Sequence, residues 1–217
     1  MARIISSKTT IRWGNDVSAA PIGSLPIAEV VTRIEDLNSQ IGDFWSKSDG
    51  WAPAEAAGLL GKSRLDWQVS LSQTLHMWID RPTLSPAELI LAWANLGSLI
   101  EGSVKLLLSV YYDTYRSDLD NLKKANAYDH KKAKAHSPDG LTLEPLRKYC
   151  AANGILDQDQ LGLMELVQQR RNAIHAFKDR PIGDAAELEN SIRGYLSLMR
   201  EIVRRLPYPE PMYVPQE

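Results

Sequence analysis

The chain has 217 residues, of which 44% are hydrophobic, 24% charged and only 7% aromatic, a balance that excludes collagen-like, mucin-like and wholly disordered polymers. Its 25 Lys and Arg against 27 Asp and Glu give a formal charge of −2, which argues against a basic nucleic-acid coat or a membrane-surface protein while leaving room for a local basic site. Cys150 is the only cysteine, so a disulfide framework and a cysteine metal cage are excluded, and a chain of this length buries enough apolar surface to need no such staple.

Residues 1–26 hold Gly14, Pro21, Gly23 and Pro26 without a helical period and read as an extended N-terminal arm. No long apolar run follows the charges of Met1 to Ile11, so a secretory signal is not expected, and with the lone thiol this predicts a cytoplasmic protein. Ile27, Val30, Val31, Ile34, Leu37, Ile41, Phe44 and Trp45 recur at three and four and predict an amphipathic helix over 27–45. Leu60, Trp67, Leu71, Leu75 and Trp78 then share a stripe that predicts one long helix over 55–79, with Arg64 in register beside it.

Ser85-Pro86-Ala87-Glu88 combines an N-cap serine, a proline at the first helical position and a glutamate at the third, which fixes the start of a helix over 86–115. Its apolar stretch, Leu89 to Tyr112, is interrupted by Asn95, Glu101 and Lys105, so it reads as a central core helix with no membrane role. Ala94, Ser98 and Gly102 form a small-residue strip on it that would admit another helix, within the bundle or across a dimer seam.

From Tyr115 to Gly140 the chain turns polar, with Lys123, Lys124, Lys131, Lys132 and Lys134 close together, and reads as a frayed helix end and a mobile loop. Further helices are predicted from Thr142 to Ala152, over 157–177 and over 185–205, the last capped by Asp184. Residues 207–217, with Pro207, Pro209, Pro211 and Pro215, form a nonhelical tail. No segment alternates as a strand would. The predicted fold is an all-α helical bundle: the arm, one helical domain over 27–206 that includes additional N-terminal helices, and the tail.

Chemistry concentrates in Val167-Gln168-Gln169-Arg170-Arg171-Asn172-Ala173-Ile174-His175. On a helix Leu163, Val167, Arg170, Ile174 and Phe177 share a stripe, which places a guanidinium on an apolar face where it needs a partner. His175 stands one turn after Arg171, so those two side chains meet on its flank. Arg170, Arg171, Asn172 and His175 are the candidate catalytic residues. An imidazole can move a proton near neutral pH, a guanidinium can stabilise a charged phosphorane, and an asparagine can orient either. No Asp, Glu or His cluster of metal-ligand spacing accompanies them, so neither a metal nor a cofactor is expected. The bland reading has Arg170 paired with a carboxylate such as Glu101 and His175 packed at the helix end.

This segment resembles the HEPN superfamily, helical-bundle proteins whose signature is Arg, four to six residues, then His, usually with Asn, Asp or His after the Arg. Arg170 and His175 have the four-residue spacing; Arg171 follows Arg170, and Asn172 lies one place later than the family prefers. Phe177 stands where some members carry a modified tyrosine. The resemblance covers about residues 85–206, most closely 142–206. It implies a metal-independent endoribonuclease or RNA-binding protein acting on single-stranded RNA, with a site composed across a homodimer. It further implies a toxin–antitoxin or defence setting with an antitoxin or other regulatory protein as partner. Many relatives are inactive, so the alternative is a catalytically silent helical module that binds a protein or nucleotide.

Two weaker signals complete the reading. Ala56 to Arg64 is similar to the first helix and turn of small helix-turn-helix DNA readers, but the stripe running on through Leu65, Trp67, Leu71 and Leu75 as one helix argues against it. His76, His130 and His136 have no spacing that makes a metal or triad site.

Overall fold

The computed structural model describes residues 21–175 and 177–216. Most of the predicted arm, residues 1–20, therefore lies outside the described residues. The chain folds as an all-α helical bundle. α1 (Ile27–Trp45) is followed by α2 (Ala54–Leu60), α3 (Leu65–Gln73), α4 (Leu75–Ile79) and the long α5 (Pro86–Val110). After α6 (Tyr112–Ser117) and α7 (Leu119–Lys124) comes a two-stranded antiparallel hairpin, β1 (Tyr128–Asp129) and β2 (Lys134–Ala135). Finally come α8 (Leu143–Asn153), α9 (Gln158–Arg171) and α10 (Ala185–Arg205).

α5 is the hub, packed by α2, α3, α4, α8, α9 and α10, while α1 closes the bundle over α3, α4 and α10. Its start is the predicted capping box: Ser85 Oγ accepts the Glu88 N–H and the Glu88 carboxylate accepts the Ser85 N–H. Ala92, Trp93, Leu96, Leu99, Ile100 and Val104 are wholly buried. Length and apolarity alone would let α5 cross a membrane, but the bundle covers most of it. Ala87, Leu91 and Ser98 remain exposed along one narrow side. Of the small-residue strip, Gly102 is occupied from within the chain. Gln68 of α3 lies where a Cβ at 102 would sit and donates to Leu99 O at 2.7 Å and Ser103 Oγ at 3.2 Å.

The single helix expected over 55–79 is three helices. Gly61 ends α2, Ser63 Oγ donates to the Leu60 carbonyl at 2.6 Å, and Arg64 turns left-handed at φ +49° before α3 begins. A stripe counted across that turn has no fixed face: Leu60 is buried, whereas Trp67 is 58% exposed. Arg64 accordingly sits outside the core, bonded to Asp66 and lying 3.9 Å over the Trp67 ring. The break restores a helix, turn and helix at this place. Yet α2 packs on α5 and α6 while α3 packs on α1 and α5, and α3 carries no lysine or arginine to meet a phosphate.

The helix expected over 86–115 divides at Tyr111, whose φ −98° and ψ 34° separate α5 from α6. The segment read as a mobile loop is built instead of α6, α7 and the hairpin. Tyr115, Leu122, Ala125 and Ala127 are fully buried under it, and Tyr115 Oη donates to His136 O at 2.8 Å. Its lysines 123, 124, 131, 132 and 134 all face solvent. The tail is nonhelical apart from one 3-10 turn, Pro211–Tyr213, and it lies along α1. Trp45 Nε1 donates to Tyr208 Oη at 3.2 Å, the Phe44 ring meets those of Tyr208 and Tyr213 at a tilt, and Gln40 exchanges two hydrogen bonds with the Gln216 backbone.

Candidate functional site

α9 starts at a second capping box, in which Asp157 accepts the Gln160 N–H and the Gln160 side chain accepts the Asp157 N–H. Leu161, Met164 and Val167 hold it to the core. The apolar spacing predicts this helix to 177, whereas the α-helix ends at Arg171. Asn172–Ile174 tighten into a 3-10 turn, His175 is extended at φ −85° and ψ 100°, and Phe177 adopts φ +72°. The predicted stripe therefore stops half-way. Val167 is buried, but Ile174 is half exposed and Phe177 wholly so. The helical register that was to bring His175 onto the flank of Arg171 also ends at Arg171.

The two arginines have different surroundings. Arg170 faces α10, where Nε and Nη2 donate to the two Glu187 carboxylate oxygens at 2.7 and 2.9 Å and Nη1 donates to Pro181 O at 3.0 Å. Such a two-pronged match is the strongest form of this pair, and it raises the guanidinium pKa above its ordinary value. Glu187 is brought there by the chain reversal after His175. Gly183 turns at φ +69°, Trp93 Nε1 donates to Ile182 O at 2.7 Å, and Asp184 caps α10 by accepting the Glu187 N–H. A side chain at position 183 would collide with the Glu187 carboxylate.

Arg171 faces α5. It lies across Gly97, where a Cβ would come within 2.6 Å of Arg171 Cδ, and Nη2 donates to one oxygen of Glu101 at 3.0 Å. The other Glu101 oxygen accepts from Lys105 Nζ at 2.8 Å. Asn172 Oδ1 accepts from Gln168 Nε2 at 3.0 Å. His175 is exposed, and its imidazole makes no hydrogen bond to a described residue.

The arginine expected to need a carboxylate has one, but it is Glu187, and Glu101 serves Arg171 instead. Arg170, Arg171 and Asn172 are held in place by identified partners, while His175 lies exposed beyond them with no side-chain partner among the described residues. Glu187, Gly97 and Lys105 also belong to this place, and nothing in their spacing to Arg170 or Arg171 along the chain marks them. Only Glu101 and Lys105, four apart on one helix, carried a signal of pairing. No family model, no curated protein and no solved structure matches this chain.

Proposed function

We propose that the chain is an HEPN-like protein that acts on RNA, with the end of α9 as its site. The supporting observation is the exposed His175 imidazole at the close of the 3-10 turn Asn172–Ile174, which follows the two arginines that end α9. In this reading His175 takes the proton of a substrate 2′-hydroxyl, whose oxygen attacks the adjacent phosphorus. The 5′-oxygen leaves and takes a proton from the imidazolium so formed or from water, so the products are a 2′,3′-cyclic phosphate and a 5′-hydroxyl. A guanidinium stabilises the extra charge on the phosphorane, and Asn172 orients the phosphate. The proposal includes a homodimer that sets two such ends against each other, and a toxin or defence role under a regulatory partner.

A second reading, a catalytically silent module binding a protein partner or nucleotide, is favoured by one specific observation: within one chain both guanidiniums already hold carboxylates. Incubating the purified protein with labelled single-stranded RNA in EDTA separates the two. Cleavage to cyclic phosphate ends, with DNA untouched and His175→Ala inactive but equally helical, supports the nuclease. A panel of RNAs left uncut with and without divalent metals, or a His175→Ala variant that cuts like wild type, leaves the silent module.

A further inference from the structure

Charge balance separates the two arginines of this site. Around Arg170 one cation meets one carboxylate through two parallel hydrogen bonds and a third donor is taken by the Pro181 carbonyl. That arrangement is neutral, with each guanidinium nitrogen donating one bond. Around Arg171 two cations, Arg171 and Lys105, share the single carboxylate of Glu101, each on a different oxygen. The trio keeps one net positive charge. Its members are only partly covered, with side-chain exposures of 18% for Arg171, 20% for Glu101 and 24% for Lys105, so solvent or a ligand reaches them. Gly97 is part of the same construction, because any side chain there would push the Arg171 stem off α5.

We infer that Arg171 and Lys105 together form the phosphate-binding pair of this site, that Glu101 holds both cations until a phosphate takes its place beside them, and that Arg170 is a structural clamp. This rests on the RNA-directed reading given above and adds to it a residue from α5. The ligand class is a phosphodiester or polyphosphate: two donors on adjacent helices suit an oxyanion, and the excess positive charge is what such an anion neutralises. Lys105 is a binding residue here, and Glu101 is a positioning residue that acts through the two cations.

The test measures binding of fluorescein-labelled single-stranded RNA by anisotropy over a series of salt concentrations, in wild type, Lys105→Met, Glu101→Gln and Glu187→Gln. Methionine keeps the apolar stem of Lys105 while removing its charge. Loss of one phosphate contact lowers the slope of log affinity against log salt by about 0.7, which corresponds to about fivefold weaker binding at 0.1 M salt. Lys105→Met is expected to show that loss, Glu101→Gln to bind several-fold tighter, and Glu187→Gln to keep wild-type affinity.

Tripolyphosphate, tested by the shift it causes in melting temperature, serves as a probe independent of RNA. If wild type binds RNA and both Lys105→Met and Glu101→Gln bind identically to it, the inference falls and the RNA reading stands. If RNA does not bind but tripolyphosphate stabilises wild type and not Lys105→Met, the anion site stands and the RNA reading falls. If neither probe binds, both fall.

Discussion

Replacing Arg170 with alanine removes the clamp between the end of α9 and the start of α10, and the structure sets the scale of the loss. Two charge-assisted hydrogen bonds to Glu187 and one to the Pro181 carbonyl disappear. Fully buried bonds to charged groups are each worth about 1.5–3 kcal/mol, and exposed ion pairs about 0–1 kcal/mol. Side-chain exposures of 13% for Arg170 and 30% for Glu187 place this pair between those limits, and the Glu187 carboxylate left behind is still able to reach water. A total of about 2–3 kcal/mol follows. At about 2–4 °C per kcal/mol for a domain of this size, thermal unfolding followed at 222 nm is expected to shift down by about 4–12 °C. A double-mutant cycle with Glu187→Gln is expected to return a coupling of at least about 1 kcal/mol. Arg171→Ala, which loses one bond to a carboxylate that Lys105 still holds, is expected to cost less. An Arg170→Ala protein within about 0.5 kcal/mol of wild type, or a cycle without coupling, would refute the clamp.

Two further outcomes follow from burial. Desolvation pushes the Cys150 thiol up to about 12, so a thiol reagent at pH 8 is expected to leave the folded protein unlabelled and to react fully in denaturant; rapid labelling of the native protein would contradict that placement. Burial raises the phenols of Tyr115, Tyr149 and Tyr208 above their ordinary value, so above about pH 10 the unfolded chain loses protons that the native one keeps. Stability is therefore expected to fall as pH rises past that point, measured as denaturant midpoints at pH 9, 10 and 11, and a flat profile would count against it.

Much of the bundle was legible because its signals are local. α1 and α10 have the bounds that their apolar period dictates, the capping box at Ser85 marks a real helix start, and a helix opens at Asp157 as expected. Periodicity fails where one residue changes the direction of the chain. The left-handed Arg64 splits the 55–79 stripe, and the hairpin strands, two residues each, are too short to show alternation. At the candidate site the need of Arg170 for a counter-ion was readable from its place on the stripe. The identity of that counter-ion was not, because Glu187 lies 17 residues away across a reversal set by Gly183 and the Trp93 hydrogen bond. The early end of α9 was hidden for a related reason: Asn172, Ala173 and Ile174 continue a helical pattern that the backbone does not follow.

The way α1 is covered bears on the order in which the chain can fold during synthesis. One side of α1 packs on α3 and α4, which follow it closely, and can be sheltered early. The other side waits for α10, and its aromatic end waits for Tyr208, which lies 163 residues beyond Trp45. At ribosomal speeds of about 5–20 residues per second that interval is roughly 8–33 s. Throughout it Asn38 and Trp45, both buried in the finished molecule, lack the Met199 and Tyr208 side chains that finally meet them. The nascent chain thus exposes a half-dressed amphipathic helix for a long time on the scale of hydrophobic collapse, which makes α1 the segment of this protein where a holdase chaperone has the most to protect.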